Sequence, residues 1–176
     1  LDISLLPLTV EDHAAALQAV YMATPGYWQM YKQPSSPAGQ AAADLRAVAA
    51  TPGRAMLGIV RRIVADDASA GAELIGMLDY RLHWPDDQVV YIGMLMVAEP
   101  YQRRGIGRQS WSLVEPWLAN VAGMTSARLG VEQFNNKALQ FFEALDFNLT
   151  GESNRLRVGD KLIRLLYMQK RLAPNG

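Results

Sequence analysis

The chain contains no cysteine, which rules out a disulfide frame, a thiolate nucleophile and a cysteine-based metal site. Histidine is almost as scarce. His13 and His83 stand far apart, which leaves little material for a histidine metal centre or a Ser-His triad. The expectation is that no metal is held. No apolar run reaches the roughly 18 residues of a membrane-spanning helix. Charge of one sign is missing too: 17 basic side chains balance 17 acidic ones. No basic run or aromatic-interleaved patch occurs, which argues against a nucleic-acid partner. The first residues, Leu1-Asp2-Ile3, lack the basic flank and long apolar core of a signal peptide, and no Met opens the sequence. A cytoplasmic protein with no membrane partner is expected.

What is present suffices for one core. Half of the 176 residues are apolar, so a single domain over 1–176 is the natural expectation. Ile3 to Leu8 reads as a strand. Thr9, with Asp12 three residues on, caps a helix running to about Ala23. Pro25 to Tyr31 breaks the pattern, and a loop continues through Pro34-Ser35-Ser36-Pro37. A second helix covers about Ala38 to Ala50. Arg54 to Val64 and Glu73 to His83 read as strands around a turn at Asp66 to Gly71, and Val89 to Val97 as a third. Later come a helix after Gly105, a strand at Ala127, a helix after Asn135, a strand near Phe147 to Gly151, and a last strand from Leu162 to Leu172. Pro116 should bend or interrupt the helix that contains it, a kink that packing would tolerate.

The most informative stretch is Val97 to Gly107. A β-like run ends in a polar turn, and two glycines open a segment in which Trp111, Val114 and Leu118 have helical spacing. Such a helix start exposes backbone N–H groups without intrahelical partners, and the helix dipole adds positive charge there. An anion, best a phosphate, suits it. Gly105 and Gly107 carry no Cβ to keep a pyrophosphate from the main chain, and Arg103, Arg104 and Arg108 surround the turn. A Walker A loop would need Gly-Lys-Ser/Thr, but Arg108-Gln109 follows Gly107. A dinucleotide fingerprint would need a third glycine at the position of Ser110.

What remains, Gln102-Arg103-Arg104-Gly105-Ile106-Gly107, resembles the pyrophosphate loop of the GCN5-related N-acetyltransferase (GNAT) superfamily. A second stretch strengthens the resemblance. Leu129-Gly130-Val131 reads as a short buried strand, followed by Asn135-Asn136-Lys137-Ala138-Leu139-Gln140-Phe141-Phe142-Glu143-Ala144-Leu145-Asp146-Phe147, similar to the superfamily's second signature. Ala138, Phe141, Phe142 and Leu145 fall on one helical face, and Asn135 is placed to cap that helix.

The resemblance implies an α/β (α+β) fold, one mixed, mostly antiparallel sheet of about seven strands with helices on both faces. It implies acetyl-CoA as co-substrate and direct attack by an amine of a small-molecule or peptide acceptor. Cofactor contacts would come from Leu95, Val97, Gln102, Arg103, Arg104, Gly105, Ile106, Gly107, Arg108 and Asn135; Gly93 either marks a bulge that opens room for the pantetheine arm or is a packing glycine. The tyrosine that many members use as acid falls at Phe142, which has no hydroxyl, and the glutamate that some use as base falls at Tyr91. Tyr91 and Glu132 are therefore the candidate catalytic residues, with Asp79 and Tyr80 weaker; the other reading is a core tyrosine at Tyr91 and a solvated loop glutamate at Glu132. Tyr27, Trp28 and Tyr31 either wall an acceptor site or plug the core edge or a homodimer seam. His83-Trp84 either approaches the same cleft or only decorates a hairpin. Two readings stay open beside the enzyme: a non-catalytic acyl-CoA-binding module, and a nucleotide-binding protein of another α/β class.

Overall fold

The computed structural model describes residues 2–64 and 70–173. Its strands are β1 (Ile3–Pro7), β2 (Arg54–Val64), β3 (Ala70–Leu82), β4 (Val89–Val97), β5 (Ser126–Glu132), β6 (Asn148–Val158) and β7 (Lys161–Arg171). Its α-helices are α1 (Val10–Met22), α2 (Pro25–Met30), α3 (Gln40–Ala50), α4 (Ile106–Asn120) and α5 (Asn136–Glu143). The strands form one sheet in the order β1-β2-β3-β4-β5-β7-β6. β1–β2, β5–β7 and β6–β7 pair antiparallel, and β4–β5 pairs parallel over 89–92 and 126–129. The chain divides into two compact units, Leu1–Tyr80 with Met94–Val114, and Arg81–Gly93 with Glu115–Gly176.

In the first unit the sheet is covered on both faces. One core cluster joins Leu17, Val20 and Tyr21 of α1, Trp28 of α2, and Leu45 and Val48 of α3 to Met56, Met77 and Met96, with Leu6 and Met94 packed against it. A second cluster holds Ile59 and Ile75 with Ile106 of α4, and Leu5, Leu95, Val97 and Tyr101 beside them. Neighbouring strand residues point to opposite faces, so Leu5/Leu6 and Leu95/Met96 place the two clusters on opposite sides of the sheet. Gly76 lets this layer close. A Cβ there would lie 2.4 Å from the Met96 carbonyl oxygen.

In the second unit β5 alternates: Ala127, Leu129 and Val131 are buried, while Ser126, Arg128, Gly130 and Glu132 are half-buried. Asn135 caps α5, its side-chain oxygen accepting from the Ala138 N–H at 3.2 Å. The β6–β7 hairpin closes the sheet, with every residue of β6 except Thr150 exposed.

Several sequence expectations are corrected. Pro25 to Met30 is a helix rather than loop, because proline at the first helical position has its φ pre-set and needs no N–H partner. α3 begins at Gln40, not Ala38, since Gly39 takes φ +74° and stands outside the helix. The strand expected from Glu73 begins at Ala70, so Ala70 and Gly71 are strand rather than turn; residues 66–69 of the expected turn lie outside the described ones. β6 runs to Val158, well past Gly151. Pairing with β7, rather than apolar alternation, holds its polar second half. α4 is continuous through Pro116.

Candidate active site

The turn before α4 is built by local hydrogen bonds. Ala98 N–H donates to Ile75 C=O at 2.8 Å, and Glu99 N–H to Ala23 C=O at 2.9 Å, fixing where β4 ends. A short 3-10 turn, Glu99–Tyr101, follows. Gln102 then spends both donors on the turn itself: its backbone N–H goes to Glu99 C=O (3.2 Å) and its side-chain amide to Val97 C=O (2.8 Å). Arg103 and Gly105 adopt φ +61° and +77°, which reverse the chain into the helix. Glycine reaches that conformation without steric cost.

After Gln102, the next amide with an internal partner is that of Gln109, which donates to Gly105 C=O at 2.9 Å. Among the described residues, none accepts from the N–H groups of Arg103 to Arg108. No acidic residue stands in the first turn of α4, and Arg103, Arg104 and Arg108 are exposed around it. A Cβ at Gly105 would meet nothing within 4 Å. Six unpaired donors, cations on the rim and open space at the glycine suit a diphosphate.

In the second unit, Tyr91 of β4 stands opposite Arg128 of β5, and Gly130 of β5 opposite Tyr167 of β7. Opposed residues share a sheet face, so these four sites lie together. Gly130 makes the arrangement fit. A Cβ there would sit 3.1 Å from the Tyr91 hydroxyl oxygen and 3.4 Å from Tyr167 Cε1. The Arg128 guanidinium lies 4.6 Å above the Tyr167 ring and pairs with Glu152. Trp84 meets the Tyr91 ring edge-on at 4.8 Å, and Arg81 covers Trp84 at 5.4 Å. Burial pushes the Tyr91 phenol above its ordinary value of 10.0. Nearby Tyr167 and Glu132 push the same way, against Arg128 and the Gly130 N–H. Tyr91 is therefore a protonated hydroxyl at neutral pH, fit to donate and unfit to act as a base. Glu132 closes β5, half-buried. Phe142 packs edge-on against Phe141 and Phe147. His83 is an exposed side chain whose Nδ1 lies 2.7 Å from Asp87.

The aromatic residues near Pro25 divide. Trp28 is buried in the core and donates from Nε1 to Tyr21 C=O at 2.9 Å. Tyr27 and Tyr31 are half-buried, their rings 5.5 Å apart. Asp79 is buried, and both its oxygens are taken by Arg54, at 3.0 and 2.5 Å. Tyr21 donates to Asp44 at 2.8 Å, and burial, helped by Asp44, pushes its phenol well above the ordinary value. Sequence reasoning named Gly130 only as part of a strand and did not bring Arg128 and Tyr167 beside it. The only available signal was a glycine inside a buried strand, which marks a close approach by another group.

A model of the Acetyltransferase (GNAT) family matches residues 54–147, more than half of the chain. No curated protein matches the sequence. Solved structures are similar over nearly the whole length. An acetyltransferase from Thermus thermophilus shares 23% identity at a TM-score of 0.74, with 98% of each chain covered. Arabidopsis thaliana NAA60, in complex with a bisubstrate analogue, shares 16% at a TM-score of 0.71, covering 98% of this chain and 100% of that one. The spermidine/spermine N-acetyltransferase SpeG from Vibrio cholerae shares 13% at a TM-score of 0.66, covering 97% and 95%. At these identities the likeness establishes the fold, and the family match establishes the kinship. The chain belongs to the GNAT acetyltransferase family and is an acyltransferase.

Proposed function

We propose that the protein transfers the acetyl group of acetyl-CoA to an amine of a small-molecule or peptide acceptor, in the cytoplasm, working as one domain. The observation that carries this is the row of unpaired amides from Arg103 to Arg108, which are matched to a diphosphate. Acetyl-CoA would supply an activated acyl thioester. The amides, with Arg103 and Arg108, would hold its diphosphate, Gln102 shaping the turn, and Arg104 would hold another part of the same cofactor. Main-chain groups of Leu95 and Val97 would pair with the pantetheine arm as an added strand would. The Asn135 side-chain oxygen is committed to capping α5, so its amide nitrogen is the group left for that arm.

The reaction needs an uncharged amine, which attacks the thioester carbonyl carbon as the C–S bond breaks. Tyr91 gives its proton to the departing sulfur. Glu132 is the candidate to take the proton the amine sheds. Tyr27 and Tyr31 form the acceptor side, with Trp28 as the buried support of both. Aromatic faces of this kind suit an apolar or cationic amine. SpeG, a spermidine/spermine N-acetyltransferase of similar fold, acts on cationic amines of this kind.

Two measurements test the proposal. Calorimetric competition should show coenzyme A binding in preference to ATP and NAD. Release of coenzyme A from acetyl-CoA, followed against a panel of amines, should then identify an acceptor. Strong NAD binding, or affinity for coenzyme A with no release against any amine, would contradict it.

A further inference from the structure

Beside the turn, three elements of the first unit converge on one ring. Arg61 of β2 and Glu73 of β3 lie 2.5 Å apart, and the Tyr101 hydroxyl donates to the two Glu73 oxygens, at 3.1 and 3.0 Å. The Arg61 guanidinium carbon is 5.0 Å from the Tyr101 ring centroid. On the same ring rests Arg104, its guanidinium carbon 5.9 Å from the centroid. The charge of Glu73 is answered by Arg61. Arg104 has no carboxylate partner among the described residues.

This arrangement does more than fasten the turn. Arg103 and Arg108, both exposed, carry two of the six free amides themselves, and their two charges suffice for a diphosphate. Arg104 is instead turned to an aromatic seat fixed from two strands. A guanidinium pre-set on a ring gives up less freedom when it grips an anion, and its planar fork matches phosphate oxygens. Coenzyme A carries one phosphate beyond the diphosphate, on the ribose 3′ oxygen, and it needs a cation set apart from the first two.

Resting on the acetyl-CoA reading above, we propose that Arg104, seated on Tyr101 and backed by the Arg61–Glu73 pair, binds the ribose 3′-phosphate of coenzyme A. The chain then distinguishes coenzyme A from its otherwise identical 3′-dephospho form. Arg104 is the contacting group; Tyr101 is a positioning residue that acts through it.

Calorimetric affinities for coenzyme A and 3′-dephospho-coenzyme A test this without knowledge of the acceptor. Wild type should prefer coenzyme A by about tenfold, the order expected of one charged hydrogen-bonding contact. Arg104→Ala, a change at an exposed side chain, should weaken coenzyme A to the level of the dephospho form and leave the dephospho form unchanged. Tyr101→Leu should collapse the same ratio, a readout that a merely structural ring would not move. Equal binding of the two forms by wild type, or an equal loss for both in Arg104→Ala, overturns the assignment while leaving the acetyl-CoA reading intact. Failure of wild type to bind either form overturns both.

Discussion

Tyr91 gathers more of the local chemistry than any other side chain. Its ring is edged by Trp84, its hydroxyl fills the space Gly130 leaves, and Tyr167 stands across the same glycine. A phenol pushed above 10.0 by burial remains protonated through neutral pH. Tyr91→Phe should therefore lower kcat by about a hundredfold, the lower end for a general acid, with little change in KM for acetyl-CoA. Steady-state kinetics at saturating acceptor check this, and an unchanged kcat would remove Tyr91 from the chemistry. The pH profile should rise as the acceptor amine loses its proton, with no fall through neutral pH from loss of the Tyr91 proton. A fall near neutrality would mean a different acid. Sequence alone exposed the vacancy at Phe142 and the phenol at Tyr91. It did not expose the pairing with Tyr167, because β5–β7 register is set by contacts distant in the chain.

At the scale of elements, the phosphate turn and α5 show what was legible. Both carry their instructions locally: two glycines and a helical stripe for one, an Asn cap and an aromatic face for the other. Asn135 separates stability from binding. Asn135→Ala should cost about 1 kcal/mol through the lost cap and also weaken coenzyme A, whereas Asn135→Asp keeps the cap and loses only the amide donor. Thermal melts beside calorimetry will tell these apart; equal coenzyme A affinity in Asn135→Asp and wild type would show that the residue caps and does nothing more. Gly76 is a purely architectural site. Gly76→Ala should lower stability by about 3 kcal/mol, or prevent soluble folding, because the new Cβ would run into the Met96 carbonyl. A denaturation midpoint near wild type would contradict that packing. Elements held by partners rather than by their own pattern were the ones misread. The second half of β6 is exposed and polar, so nothing local marks it as strand. α2 has only six residues, too few to show a helical stripe, and Trp28 anchors it in the core.

For the whole molecule, buried phenols predict behaviour in alkali. Tyr21, Tyr80 and Tyr91 are all raised from 10.0, with burial the largest cause in each. Above pH 10 the unfolded chain releases phenolic protons that the folded chain keeps, so the unfolded state binds fewer protons and stability falls as pH rises. The contribution is complete below pH 10 and drains away above it. Tyr21→Phe should flatten this alkaline decline, measured as urea midpoints between pH 8 and 11; an unchanged slope would show that Tyr21 ionises freely. The acetyltransferase account rests on the turn that opens α4, and calorimetric titration of acetyl-CoA into wild type and Gly107→Val tests it most directly. Gly107 does not take a positive φ, so valine fits the backbone while its side chain blocks the approach of a diphosphate. Saturable binding by wild type, and none by a Gly107→Val protein that melts as wild type does, is the predicted result. Undiminished affinity in the variant would contradict it.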